Sequence, residues 1–172
     1  MIKSENIRKG KVWVFGDNID TDIIIPGRYL TIRDASVMAS HTFEPIDENF
    51  AEKFQMGDII IGGKNFGCGS SREEAPFVLK TLGIAVIIAE SFARIFYRNA
   101  INLGIPLIEV KDISNKFETN NTVEVDFTTG IVKNIDKNFT LKGSKLPDFL
   151  LEIIKMGGAI PAIKNRIKKG VK

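Results

Sequence analysis

The chain has 172 residues, 44% of them apolar and 26% charged, with a formal charge of +3. One domain of this size buries roughly two-thirds of the surface that its unfolded form exposes, so it can support its own core. One cysteine excludes an internal disulfide framework, and one histidine leaves too few soft ligands for an ordinary zinc site.

Ile2-Lys3-Ser4-Glu5 opens no apolar signal segment, and no run approaches the ~18 apolar residues of a membrane span, so a soluble cytoplasmic protein is expected. Lys11 to Phe15 reads as a strand ended by Gly16-Asp17-Asn18. The polar segment from Asp17 to Asp34, broken by Pro26-Gly27, is long for a loop in a compact domain, and such loops are usually functional. Short helices are predicted over Ala35 to His41 and Ile46 to Phe54, the second with Ile46, Phe50 and Phe54 on one face.

The pattern then becomes regular. Asp58 to Ile61 is an apolar run, Ser71 to Leu82 a helix ended by Gly83, and Ile84 to Ala89 a β-branched run. Ser91 can cap a helix that stops at Gly104, and Ile105 to Val110 is another buried run. Continuous apolar strands alternating with helices predict an α/β fold with right-handed βαβαβ units around a parallel sheet. From Thr122 the period changes to two, with Val123, Val125 and Phe127 predicting an antiparallel hairpin or meander. Pro147 to Met156 closes the fold as a helix. Residues 1–172 form one predicted domain, with a solvated basic tail from about residue 159 (Lys164, Arg166, Lys168, Lys169, Lys172). No stacking aromatics are interleaved with that tail, which favours a solvated tail over a nucleic-acid contact.

Gly67-Cys68-Gly69-Ser70-Ser71-Arg72-Glu73-Glu74 carries the chemistry. Two capping boxes overlap here: Ser71 with Glu74, and Ser70 with Glu73. Pro76 is tolerated only in a first helical turn, which favours the later start and leaves Ser70 free. The Rossmann fingerprint would need glycine where Arg72 stands, the Walker ending is absent, and a serine hydrolase would need His41. What remains besides capping is a small organic acid held by hydroxyls, amides and a bidentate arginine. A site rich in donors can also stabilise a serine alkoxide as a base.

Asp17-Asn18-Ile19-Asp20-Thr21-Asp22, Pro26-Gly27-Arg28-Tyr29-Leu30, residues 63–73 around the glycine–serine turn and residues 89–99 from Ala89 to Asn99 follow in order along the chain. In register, these four segments resemble the small subunit of 3-isopropylmalate dehydratases, members of the aconitase superfamily. The resemblance runs from about Gly10 to Gly158. It implies a swivelling β/β/α domain that closes over a separate large subunit, in a heterodimer or heterotetramer. A four-iron four-sulfur cluster is implied on that large subunit, and the lone Cys68 agrees, since a cluster takes several thiolates. This chain is expected to bind no metal.

The implied reaction interconverts 2- and 3-isopropylmalate by loss and re-addition of water, in leucine biosynthesis. Ser70 is implied as the base that takes the carbon-bound proton, Asp22 as a second catalytic residue, and Ser71 and Arg72 as ligands of the substrate carboxylate and the serine oxyanion. The loop after the Tyr-Leu pair is implied to select the substrate's variable group, with Leu30, Thr31, Ile32 and Arg33 as candidates, and Arg28 is a further carboxylate candidate. Homoaconitase-like members resemble Tyr-Leu-Arg and isopropylmalate enzymes place an apolar residue last, where this chain has Tyr29-Leu30-Thr31, so Thr31 argues against the homoaconitase pattern. Arg33 keeps a homoaconitase reading open, and a 2,3-dimethylmalate dehydratase would accept the same apolar lining. Glu74 stands where the resemblance implies histidine or another residue in many relatives. A regulatory or RNA-binding module is the alternative from a different class.

Overall fold

The computed structural model describes residues 6–168 and 170. The continuous apolar runs become neighbouring parallel strands on one side of a single sheet, because β-branched side chains buried on both faces need cover on both sides. Among the described residues, seven strands lie in the order β4-β3-β2-β1-β5-β6-β7. The parallel half comprises β1 (Ile7–Val14), β2 (Ile59–Gly62), β3 (Val86–Ala89) and β4 (Leu107–Glu109). The antiparallel half is a meander of β5 (Thr122–Asp126), β6 (Ile131–Asn134) and β7 (Phe139–Lys142), joined to the rest where β5 pairs with β1. The parallel βαβαβ core and the terminal meander are therefore both present.

The pleat sorts the strand side chains between two cores. Ile60, Ile87 and Leu107 pack with the helices on one face, among Phe43, Phe50, Phe66 and Phe96. Ile59, Ile61, Val86, Ile88 and Ile108 join Val12, Val123, Val125 and Val132 in the other cluster. Each such isoleucine, wholly removed from water, contributes about 1.5–3 kcal/mol.

The helices are shorter than their sequence patterns suggest. Between β1 and β2 lie α1 (Thr21–Ile24), a 3-10 turn at Gly27–Tyr29, α2 (Ala35–Ala39) and α3 (Phe50–Lys53). The helix expected from Ile46 begins only at Phe50, and Ile46 is half-exposed while Phe50 and Phe54 are buried. β2 leads through α4 (Glu74–Thr81) to β3, and β3 through α5 (Arg94–Asn102) to β4. Gly83 and Gly104 follow these helices with φ of +83° and +81°, the left-handed conformation that lets a chain leave a helix. Ser91 does not cap α5, whose N-cap is Ala93. The Ser91 hydroxyl instead accepts a bond from the Asn65 amide at 2.9 Å.

After β7, α6 (Asp148–Lys155) is followed by α7 (Ala159–Lys168). The expected solvated tail from residue 159 is thus helical through Lys168. Ala159, Ala162 and Asn165 are its half-buried positions, while Ile160, Ile163 and Ile167 are exposed.

Candidate active site

The glycine–serine turn is held by a two-rung ladder to the segment entering α1. The Gly67 amide donates to the Ile19 carbonyl at 2.7 Å, and the Thr21 amide donates to the Cys68 carbonyl at 2.9 Å. Thr21 is 2% exposed, and its hydroxyl donates to the Ser70 carbonyl at 3.2 Å. The Arg72 amide donates to the same carbonyl at 2.8 Å. Ser70 is therefore pinned through its backbone. Its hydroxyl and that of Ser71 are exposed and, among the described residues, have no hydrogen-bond partner.

Neither serine caps a helix, which corrects the capping-box expectation. α4 starts at Glu74 with Glu73 as an N-cap that makes no side-chain bond, and Pro76 sits in its first turn as the sequence requires. The physical reason is that residues 67–70 are engaged by residues 19–21, so the chain turns helical only after Arg72. The serines consequently precede the helix start rather than lying on it.

Arg72 donates from Nη1 to Asp22 Oδ1 at 2.5 Å across fifty positions of sequence. The Arg72 side chain is 20% exposed and that of Asp22 is 57% exposed. A guanidinium has five N–H donors, so this pair leaves capacity for a carboxylate from outside the chain. Asp22 also accepts from the Gly27 amide at 3.3 Å, and a methyl at Gly27 would lie 3.5 Å from Arg72 Nη2. The 3-10 turn thus starts beside the ion pair. Asp20 caps α1 by accepting from the Ile23 amide at 2.8 Å, and Asp17 accepts from the Lys64 amide at 2.7 Å, so both hold turns. Burial, with the nearby Asp20 charge second, pushes the Cys68 thiol above its ordinary pKa.

The other predicted site residues follow in the same loop. Leu30 and Ile32 are half-buried against the helix-side core, while Thr31 and Arg33 are exposed. Asp34 caps α2 by accepting from the Ser36 and Val37 amides. Arg28 donates to Glu44 Oε1 at 2.7 Å and lies 4.7 Å over the Tyr29 ring.

Sequence reasoning missed Glu44. Its carboxylate also accepts from the Tyr29 hydroxyl at 2.7 Å and meets His41 Nδ1 at 2.7 Å, while the Tyr29 and His41 rings stack 3.7 Å apart. No motif announces this cluster; its only sequence signal is the His-x-x-Glu spacing of His41 and Glu44. The hydrogen bond from Tyr29 is the largest of the influences that hold the Glu44 carboxyl at about 2, against an ordinary 4.5. A depressed carboxyl stabilises the folded state above the unfolded pKa, and that stabilisation fades as pH falls through the folded value. The thermal midpoint of the chain should therefore exceed that of Glu44→Gln most above pH 4.5, with the gap closing as pH falls toward 2. A gap independent of pH would contradict this.

Among the described residues, no three His, Cys, Asp or Glu side chains converge where they could hold a metal ion. With a single cysteine in the chain, its donors do not fit an iron–sulfur cluster.

The aconitase C-terminal domain family matches residues 37–113. The isopropylmalate/citramalate isomerase small subunit of Methanocaldococcus jannaschii is 52% identical over 162 residues, covering 94% of this chain and 96% of the relative. The 3-isopropylmalate dehydratase small subunit of Ruminiclostridium cellulolyticum is 50% identical, covering 92% and 98%. The crystal structure of 3-isopropylmalate dehydratase from Methanocaldococcus jannaschii superposes with a TM-score of 0.90 at 43% identity, covering 95% of this chain and 97% of that one. The chain therefore belongs to the family of 3-isopropylmalate dehydratase small subunits, in the aconitase superfamily.

Proposed function

We propose that this chain is the small subunit of an isopropylmalate isomerase, inactive alone and completed by a cluster-bearing large subunit in the cytoplasm. The observation that carries the reading is the Arg72–Asp22 pair beside two exposed serine hydroxyls without protein partners. A site that lies open on the surface, with a guanidinium and hydroxyls but, among the described residues, no cluster of three metal-ligating side chains, is suited to being closed by a second chain. The single domain is proposed to swivel over that partner.

In this reading Arg72 and Ser71 hold a substrate carboxylate, and Asp22 keeps the guanidinium aimed. Ser70 Oγ, as the alkoxide, takes the proton from the carbon next to the hydroxyl-bearing one. The C–H electron pair becomes the double bond as the neighbouring hydroxyl leaves, a departure for which the large subunit's cluster would supply the Lewis acid. That carbon acid is weak, so a carboxylate or imidazole base would lack driving force. The donors left on Arg72 reduce the cost of the serine oxyanion once the site is closed and dry. Leu30 and Ile32, anchored on the core, are proposed to offer an apolar wall to the isopropyl group, with Thr31 at the rim. Arg28 is the more distant carboxylate candidate, because Glu44 already engages it.

The test is to purify the chain with a large subunit and follow interconversion of 2- and 3-isopropylmalate. Turnover by the complex and none by the separate chain supports the reading. A complex inert on isopropylmalate but active on a tricarboxylate or on dimethylmalate sinks it, and RNA binding without any hydro-lyase activity favours the regulatory alternative. In the same assay Arg33→Ala should hold isopropylmalate turnover within about threefold, since an exposed arginine in water contributes little. A large loss confined to a tricarboxylate substrate would instead place Arg33 in a homoaconitase pocket.

A further inference from the structure

We infer that Glu44 is a positioning residue that sets substrate selection, by fixing the 3-10 turn against the Asp22–Arg72 pair. The inference rests on the proposed function, because it assigns the turn to the substrate side of that site.

The turn is fastened at two points. At its start the Gly27 amide donates to Asp22 Oδ1, the oxygen that also receives Arg72. At its end the Arg28 guanidinium and the Tyr29 hydroxyl both donate to one oxygen, Glu44 Oε1, at 2.7 Å each. The other carboxylate oxygen meets His41 Nδ1 at 2.7 Å, and the His41 ring stacks on Tyr29 at an interplanar angle of 7°. Glu44 itself is backed by its own turn, with its amide donating to the His41 carbonyl, while the next-door Phe43 amide donates to the Ile24 carbonyl of α1. One carboxylate therefore locks the turn to the element that presents Asp22.

Within the turn the Leu30 amide donates to the Gly27 carbonyl and the Ile32 amide to the Tyr29 carbonyl. Displacing Arg28 or Tyr29 thus moves Leu30 and Ile32, the proposed apolar wall, but leaves Ser70 alone, since Ser70 is held by Thr21 and Arg72. Among the described residues, Glu44 forms no hydrogen bond or ion pair with the serines or Arg72. Its loss should change how well a substituent is fitted far more than how fast the bound proton is moved.

The experiment compares wild type and Glu44→Gln in the assembled two-subunit enzyme. It uses isopropylmalate and a malate carrying methyl in place of isopropyl, and it also follows amide hydrogen exchange of residues 28–32 in both proteins. A misplacement near 1 Å can cost up to about 100-fold, so the expected rise in KM for isopropylmalate is about tenfold, with kcat within about threefold. The preference for isopropyl over methyl should fall by a similar factor, and exchange in residues 28–32 should accelerate. Tyr29→Phe keeps the ring stack but removes one donor, and it should shift KM and preference in the same direction by less. A purely structural role would lower the thermal midpoint and cut activity on both malates alike, which would overturn the inference. Unchanged exchange and unchanged preference in a stable Glu44→Gln enzyme would overturn it too. If wild type turns over neither malate, the proposed function fails, and the exchange measurement still decides whether Glu44 holds the turn.

Discussion

Ser70→Ala in the assembled enzyme should lower kcat by at least about 10³-fold, within the range that a general base contributes, while association and substrate KM change little. The two jobs of this residue use different atoms, which is what makes the expectation sharp. Its carbonyl receives the Thr21 hydroxyl and the Arg72 amide, and alanine keeps that carbonyl. Its hydroxyl is exposed and bonds to nothing else in the described residues. Removing the oxygen therefore deletes the proposed base and leaves the scaffold of the turn in place. Ser71→Ala is the comparison: a carboxylate ligand lost should raise KM more than it lowers kcat. Steady-state kinetics and a co-purification assay read both. Near-normal turnover by Ser70→Ala would remove Ser70 as the base and move attention to another acceptor.

The parts of this molecule that could be read from sequence are those where a period or a breaker acts alone. The β-branched run Ile84 to Ala89 and the buried run Ile105 to Val110 both end in sheet, the first trimmed to Val86–Ala89 and the second to Leu107–Glu109. Val123, Val125 and Phe127 alternate because only one face of β5 is buried. Where two signals compete, tertiary contacts decide. Both serines could have capped α4, and neither does, because residues 67–70 are bonded to residues 19–21. α1 has four residues, too few to show a helical period, and it was legible only as a polar loop. α7 was hidden by its lysines, although Ile160, Ile163 and Ile167 fall on one helical face. In the site, Ser70, Ser71 and Arg72 came from one contiguous motif. The Asp22 partnership was not legible as a contact, since nothing local links residues fifty positions apart.

Gly67→Ala should destabilise the chain by roughly 2–5 kcal/mol, because two costs coincide at one atom. Gly67 has φ of +78°, where a Cβ is disfavoured by about 1–2 kcal/mol. The added methyl would also sit 2.1 Å from Cγ and 2.5 Å from Cβ of Phe96. Phe96 is 2% exposed and packs edge-on to Phe66 at 5.5 Å, so it has no free volume to retreat into. Overpacking of that kind adds about 1–3 kcal/mol. Relief can come only if the turn lifts off the core, which breaks the Gly67 bond to the Ile19 carbonyl and pulls Ser70 from the Thr21 hydroxyl that holds its carbonyl. The same substitution should thus lower the thermal midpoint by roughly 10 °C and depress activity of the surviving folded enzyme. Gly16→Ala supplies the contrast, since a methyl there meets nothing within 4 Å and the backbone is not left-handed. It should shift the midpoint by no more than about 2 °C, a surface-scale effect. If Gly67→Ala unfolds at the same temperature as Gly16→Ala, the turn is not seated against Phe96, and the rigid presentation of Ser70 argued from that seat falls with it.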